Sequence, residues 1–233
     1  MSPEISAPKP VSRRDEILDA ARRLVVTKGY EQMTIEDILS DVHLSKGAFY
    51  HYFGSKAALL QALVERLRDE GGAVFLPVLE DPALSALEKI QAWFDVAARW
   101  KTMQRDYLLA LLRVWYHDDN AVVRQKLRTD TLAWIAPRLT EVVRQGIGEK
   151  VFSPPYPEQA GEILFSLIYE LGDGLAMRIL SGSDVEAALQ DSRDLLAAYT
   201  DAIERALRAP AGSLRLIDPE RLREWFQEPV IAA

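Results

Sequence analysis

Apolar residues recur at helical spacing along almost the whole chain, and polar capping residues divide that pattern into segments. Ile17, Leu18, Ala21, Leu24 and Val25 form one stripe that Ser12 opens and Gly29 stops, which predicts a first helix. Thr34 and Ser45 each stand where a side-chain oxygen caps the free N–H groups of a helix start, and Asp37 completes a Thr-x-x-Asp box. Two short helices are therefore expected at about 35 to 41 and 45 to 52. Ile35, Ile38 and Leu39 give the first of these an apolar face, and Ala48, Phe49 and Tyr52 give one to the second. Val42 and Leu44 face inward from the turn between them. Faces this small need a third element to rest on, and the helix behind Ser12 supplies it.

Beyond Lys56 the same periodicity predicts a helix from Ser55 to about Phe75, with Leu59, Leu60, Leu63, Val64 and Leu67 on one side. Pro77 and Pro82 are expected to break the chain, and helices follow near 84 to 103, 105 to 117 and 120 to 146. Pro137 lies inside the last of these and is expected to kink it near Ala133, leaving room beside it. After Gly146, Gly148 and the Pro154-Pro155-x-Pro157 stretch, two long helices are predicted at about 157 to 180 and 184 to 208. The first is apolar nearly all round, which implies burial on more than one side. The second carries Val185, Ala188, Leu189, Ser192, Leu195, Leu196, Tyr199, Ile203 and Leu207 on one stripe, which fits either a partner helix or an intramolecular core. Asp218 and Pro219 start one more short helix bearing Leu222, Trp225 and Phe226, which folds back on the core or binds a partner.

The stretch from 12 to 60 resembles the DNA-binding domain of the tetracycline-repressor (TetR/AcrR) family of bacterial one-component regulators. The resemblance rests on Gly29-Tyr30, Thr34-Ile35, Leu44-Ser45-Lys46-Gly47, Phe49-Tyr50-His51-Tyr52-Phe53 and Lys56 with Leu59. Where the family usually carries Ala-Gly in the inter-helix turn, this chain has Val42-His43. A residue near His43 is then expected to take positive φ, which histidine tolerates better than most non-glycine residues.

The resemblance implies an all-α protein: a flexible basic arm over 1–11, a helix-turn-helix DNA-binding domain over 12–56, and a larger helical ligand-binding and dimerisation domain over 57–233. From their charge, Lys9, Arg13 and Arg14 form the basic arm, following the DNA backbone or entering a minor groove, or else the segment with Pro3, Pro8 and Pro10 is a solvated tail. A recognition helix presents its N-terminal end and one outward face to the major groove, so the turn from Ser45 to His51 is the candidate DNA surface. There Lys46 can donate to guanine or phosphate, Gly47 and Ala48 admit a close backbone, and His51 can reach a base edge or phosphate. By similarity to the family, Tyr50, Tyr52 and Lys56 hold phosphates. Thr34, at a helix N-terminus that attracts anions, does the same. The last two large helices would form a four-helix dimer interface, with Gly172 and Gly174 admitting close approach. A dimer implies a roughly palindromic double-stranded operator.

Charge narrows the picture. The 233-residue chain carries a net charge of −7, and the acidic excess lies beyond residue 56, so DNA affinity has to come from a local patch. Without cysteine there is neither a disulfide framework nor thiolate–metal chemistry, and no cofactor is implied. No long uncharged apolar run offers a signal peptide or membrane span, so a cytoplasmic protein is expected. An enzyme is disfavoured. His43 and His51 belong to the DNA-reading segment, which leaves only His117, and no phosphate loop or nucleophile elbow occurs.

The larger domain is rich in aromatic and flexible apolar residues. Trp100, Met103, Trp115, Trp134, Phe165, Tyr169 and Met177 are expected to line a site for a small apolar or amphipathic effector. Arg113, His117, Glu170, Asp173 and Arg178 supply its polar groups. The alternative is that the aromatics fill a helical core, leaving a constitutive DNA-binding or protein-binding helix-turn-helix dimer without an effector.

Overall fold

The computed structural model describes residues 12–181 and 184–227 of the chain. The regular elements among the described residues are helices: α1 (Arg13–Lys28), α2 (Ile35–Val42), α3 (Lys46–Tyr52), α4 (Lys56–Glu80), α5 (Ala86–Met103), α6 (Arg105–Trp115), α7 (Ala121–Gly148), α8 (Ala160–Leu180), α9 (Val185–Leu207) and α10 (Pro219–Glu224). They fall into two compact units whose boundary lies within α4, between Arg66 and Leu67.

The first unit is held by one small core. Ile17, Leu18 and Val25 of α1, Ile38 of α2, Phe49 of α3 and Leu59, Leu60 and Leu63 of α4 are all essentially out of solvent. Each such side chain contributes on the order of 1.5–3 kcal/mol through burial, which is how helices too short to be stable alone are kept folded. Met33, which the helical periodicity does not single out, is fully buried as well. It precedes the Thr34 cap and stands five residues before buried Ile38, the spacing of a hydrophobic staple that fixes the entry angle of α2. Asp19 and Arg66 add an ion pair at 2.5 Å within the same unit.

In the second unit α8 packs between α7 and α9, α5 packs on α7, and α10 lies over α5 and α9. Gly161 makes the α7–α8 crossing possible: a Cβ there would stand 2.1 Å from the Ala136 carbonyl oxygen and 2.9 Å from the Thr140 backbone nitrogen. The segment after α9 is drawn onto the core by a buried carboxylate. Glu204 accepts the backbone N–H groups of Gly212 and Leu214, each at 2.9 Å, and Leu214, Leu216 and Leu222 are buried in turn. The short C-terminal helix thus folds back on its own unit.

The structure departs from the sequence expectations at several points. Pro77 does not break the chain, because α4 runs through it to Glu80. Proline inside a helix costs about 3 kcal/mol, and the extra turn carries Leu79 into the core at 3% exposure, which offsets a comparable amount. Pro137 likewise sits inside an uninterrupted α7, and the room expected beside it is filled by the close approach of Gly161 to Ala136 and Thr140. Arg13 and Arg14 belong to the first turn of α1, where Arg13 pairs with Glu16 at 2.5 Å and Arg14 stands over the Phe53 ring. Lys9 and the rest of the arm lie outside the described residues.

Candidate nucleic-acid interface

The helix-turn-helix is built from its caps inward. Thr34 and Asp37 close the predicted box, with the Asp37 N–H donating to Thr34 Oγ1 at 3.1 Å and the Thr34 N–H donating to Asp37 Oδ2 at 2.8 Å. At the other end of α2, His43 adopts φ 53° and ψ 43°, and its N–H and that of Leu44 both reach the Leu39 carbonyl. This left-handed residue turns the chain so that Ser45 can cap α3, where its Oγ accepts the Ala48 N–H at 3.3 Å.

With the turn fixed, α3 has an inside and an outside. Phe49 is fully buried and touches Phe53, which is 3% exposed. On the other side Ser45, Lys46, Gly47, Tyr50 and His51 face solvent, and Ala48 is half-buried. Tyr52, which the sequence offers both to the inward face and to a phosphate, is exposed, edge-on to His51 at 5.0 Å. The inward position passes to Phe53, one helical step (i+4) beyond Phe49.

Electrostatics keep the surface poised. Lys28 beside Asp37 at 2.6 Å, with the Thr34 cap, holds that carboxyl down at about 2. Lys46 reaches Glu36 at 3.4 Å. Glu36 is held below the usual carboxylate range first by its own backbone N–H and then by Lys46. The Lys46–Glu36 pair is exposed on both sides and worth little, so the ammonium is free to exchange partners. Lys56 is already engaged: its ammonium donates to the Glu31 carbonyl at 3.1 Å and stands 4.5 Å from the centre of the Tyr30 ring. The Tyr30 hydroxyl donates back to the Lys56 carbonyl at 2.9 Å. Burial pushes that phenol up to about 12 and lowers the Lys56 ammonium.

This arrangement matches known proteins. Residues 17–63 match the family described as bacterial regulatory proteins, tetR family. The HTH-type transcriptional repressor Rv1474c of Mycobacterium tuberculosis is 25% identical over 88% of this chain and 98% of its own length. The repressor AcnR of Corynebacterium glutamicum is 27% identical over 81% and 92%. A TetR-family transcriptional regulator from Pectobacterium atrosepticum superposes with a TM-score of 0.62 at 21% identity, covering 84% of this chain and 95% of that one. The DNA-binding segment of this chain is that of the tetR family. The protein is a helix-turn-helix, DNA-binding transcriptional regulator.

In this regulator the twelve sequence-predicted effector residues do not converge on one site. Met103 is 80% exposed, and Met177, Arg113 and His117 also stand at the surface. Trp100 packs edge-on against Phe75 at 5.4 Å, and Trp134 lies on Gly72, where a Cβ would come within 2.4 Å of the indole. Phe165 is buried beside Tyr169. Helical spacing shows which residues share a face of one helix, but not which helix that face meets.

A polar cluster forms around three of the twelve, Tyr169, Glu170 and Asp173, and enlists residues that the sequence did not single out. The Tyr116 hydroxyl donates to Asp173 Oδ1 at 2.6 Å, Arg128 lies over the Tyr169 ring at 4.9 Å and pairs with Glu170 at 3.3 Å, and Arg124 stands over Tyr116 and donates to the carbonyls of Trp115 and His117. Burial, then the Asp173 bond, drives the Tyr116 phenol far up, and burial raises Tyr169 as well. The i,i+4 spacing of Arg124 and Arg128 was the available signal. Arg178, counted among the polar groups of the effector site, pairs with Asp191 at 2.7 Å. Gly174 admits Leu195 of α9 in the same chain, while a Cβ on Gly172 would meet nothing. A cavity of about 280 Å³ opens elsewhere, between the start of α8 and the end of α9, and none of the twelve residues lines it.

Among the described residues no helix is long and apolar enough to cross a membrane. No group of three or more metal-ligating side chains occurs among them either.

Proposed function

We propose that this regulator is a ligand-released repressor that binds a roughly palindromic operator as a homodimer. The carrying observation is the two-sidedness of α3: Phe49 anchors it at 0% exposure while Lys46, Gly47, Tyr50 and His51 stand in solvent on one short helix. In this reading Lys46 and His51 address base edges or phosphates, Gly47 and Ala48 let the helix approach the groove, and Ser45, Thr34, Tyr50, Tyr52 and Lys56 hold the backbone. Lys56 reaches DNA with the donors left over from its clasp with Glu31 and Tyr30. One helix of seven residues reads too few base pairs to find an operator among many competing sites, so two copies are needed. Exposed Met177 on α8 and Val185 on α9 support a face for the second copy. A ligand acts by favouring the conformation in which the two α3 helices are spaced wrongly, and only by its difference in affinity for the two states.

Footprinting on the DNA upstream of the chain's own gene tests this. Two symmetric protected half-sites, with their centres about 10–10.5 base pairs or a multiple apart, and two chains bound per site support the reading. A single asymmetric footprint with one chain bound rejects it. A constitutive DNA-binding dimer without an effector is the second reading, favoured by the close packing of Trp134 on Gly72 where an effector site was expected.

A further inference from the structure

We propose that the cavity between the start of α8 and the end of α9 is a binding site for an amphipathic carboxylate, an apolar chain or single ring whose acid head is held by Arg208 and Arg205. As the effector site of this protein, it rests on the ligand-released repressor reading above.

The floor of the cavity is apolar, and Tyr156, Arg205 and Arg208 are the polar side chains of its lining. Ala160, Leu164 and Leu207 on its lining are 4%, 2% and 0% exposed. One wall is the Pro154-Pro155 pair, and proline has no backbone N–H that would demand a water or a polar ligand. That wall is pinned to the helix it faces, because the Ser153 N–H donates to the Leu207 carbonyl at 3.0 Å. Ile163 also lines the cavity and is 43% exposed, so an apolar side chain is left half in water beside an apolar hollow. A volume of about 280 Å³ stands at the lower end of ligand pockets, which suits one unbranched chain or one ring and excludes polycyclic molecules.

The rim supplies the charge. Arg208 ends α9 in the left-handed conformation, φ 50° and ψ 41°, which turns it out of the helix at the cavity edge. Among the described residues no carboxylate pairs with it. Arg205 is paired with Asp201 at 2.7 Å, but both partners are well exposed and the pair is readily exchanged. A guanidinium without an acidic partner, in the unit that carries the acidic excess of the chain, favours an anionic head group, and carboxylate fits its fork.

Titration calorimetry of the full chain with decanoate, and with decan-1-ol as the uncharged control, tests the site. Decanoate is expected to bind one per chain and decan-1-ol at least tenfold more weakly. Arg208→Ala should weaken decanoate by roughly 10- to 100-fold, the usual range for a charge-assisted contact. Ile163→Trp, which fills the hollow from its exposed edge, should abolish binding at an unchanged melting temperature. If Ile163→Trp unfolds the chain, Ala206→Trp takes its place. Equal binding of the acid and the alcohol, binding that survives the filling substitution, or a filling substitution that changes only the association of two chains each overturns the site. DNA release is read separately. Decanoate that binds here and leaves operator affinity unchanged keeps the site and rejects the effector role, whereas an operator complex released by another molecule, with no decanoate bound, does the reverse.

Discussion

Replacing Gly161 by alanine puts the α7–α8 crossing under direct load. A Cβ at that position would lie 2.1 Å from the Ala136 carbonyl oxygen, 2.3 Å from Thr140 Oγ1 and 2.9 Å from the Thr140 backbone nitrogen. Two of these three are backbone atoms of α7, so no side-chain rotation relieves the clash and the two helices must move apart by on the order of 1 Å. Overpacking a tight core costs about 1–3 kcal/mol, and a backbone obstruction belongs at the upper end. The expected loss for Gly161→Ala is about 3 kcal/mol, or roughly 6–12 °C in melting temperature for a unit of this size. Gly172→Ala is the internal control, in the same helix and with nothing within 4 Å of its Cβ. There the better helix propensity of alanine stabilises by about 0.5–1 kcal/mol. Urea unfolding of the two variants beside the wild type reads both effects. A Gly161→Ala variant within about 0.5 kcal/mol of wild type, a change typical of a free surface position, would refute the close crossing.

Other consequences follow from the caps and from the buried Glu204 carboxylate. His43→Gly removes the left-handed strain at the helix-turn-helix corner and should raise the unfolding midpoint by the equivalent of about 1 kcal/mol, measured by urea titration. Asp37 has its pKa depressed from 3.8 to about 2, so its contribution is complete above about 4 and is lost as pH falls towards 2. Circular dichroism melts across that window should show a steeper acid loss for wild type than for Asp37→Asn. Glu204→Ala leaves the Gly212 and Leu214 N–H groups without their acceptor; it should cost about 2–4 kcal/mol and expose the segment after α9 to early proteolysis.

The first unit was readable from sequence because its signals are local. Thr34, Asp37 and Ser45 name the caps and Gly29 names a stop, while the left-handed residue at His43 is implied by the resemblance, in which Val42-His43 stands where the family carries Ala-Gly. At Tyr52 the residues alone left the inward face and a phosphate contact both open, and Phe53, one helical step beyond Phe49, takes the inward position as α3 ends. The second unit was legible as helices but not as a site. Its caps and prolines mark the segments, yet whether Trp134 lines a pocket or rests on Gly72 depends on how α4 and α7 meet, and neither helix states that in its own pattern. Pro77 shows the same limit from another side. A local breaker is overruled when three more residues bring Leu79 into a core assembled from distant parts of the chain.

The most direct test of the account is the operator affinity of a Lys46→Ala, Tyr50→Ala double variant, measured by fluorescence anisotropy at two salt concentrations alongside its melting temperature and state of association. The account predicts an unchanged fold and dimer, affinity reduced by about 100-fold or more, and a shallower dependence on salt, since phosphate contacts release fewer counterions once they are lost. A variant that binds the operator as tightly as the wild type, with the same salt dependence, would show that the outward face of α3 is not the surface that reads DNA.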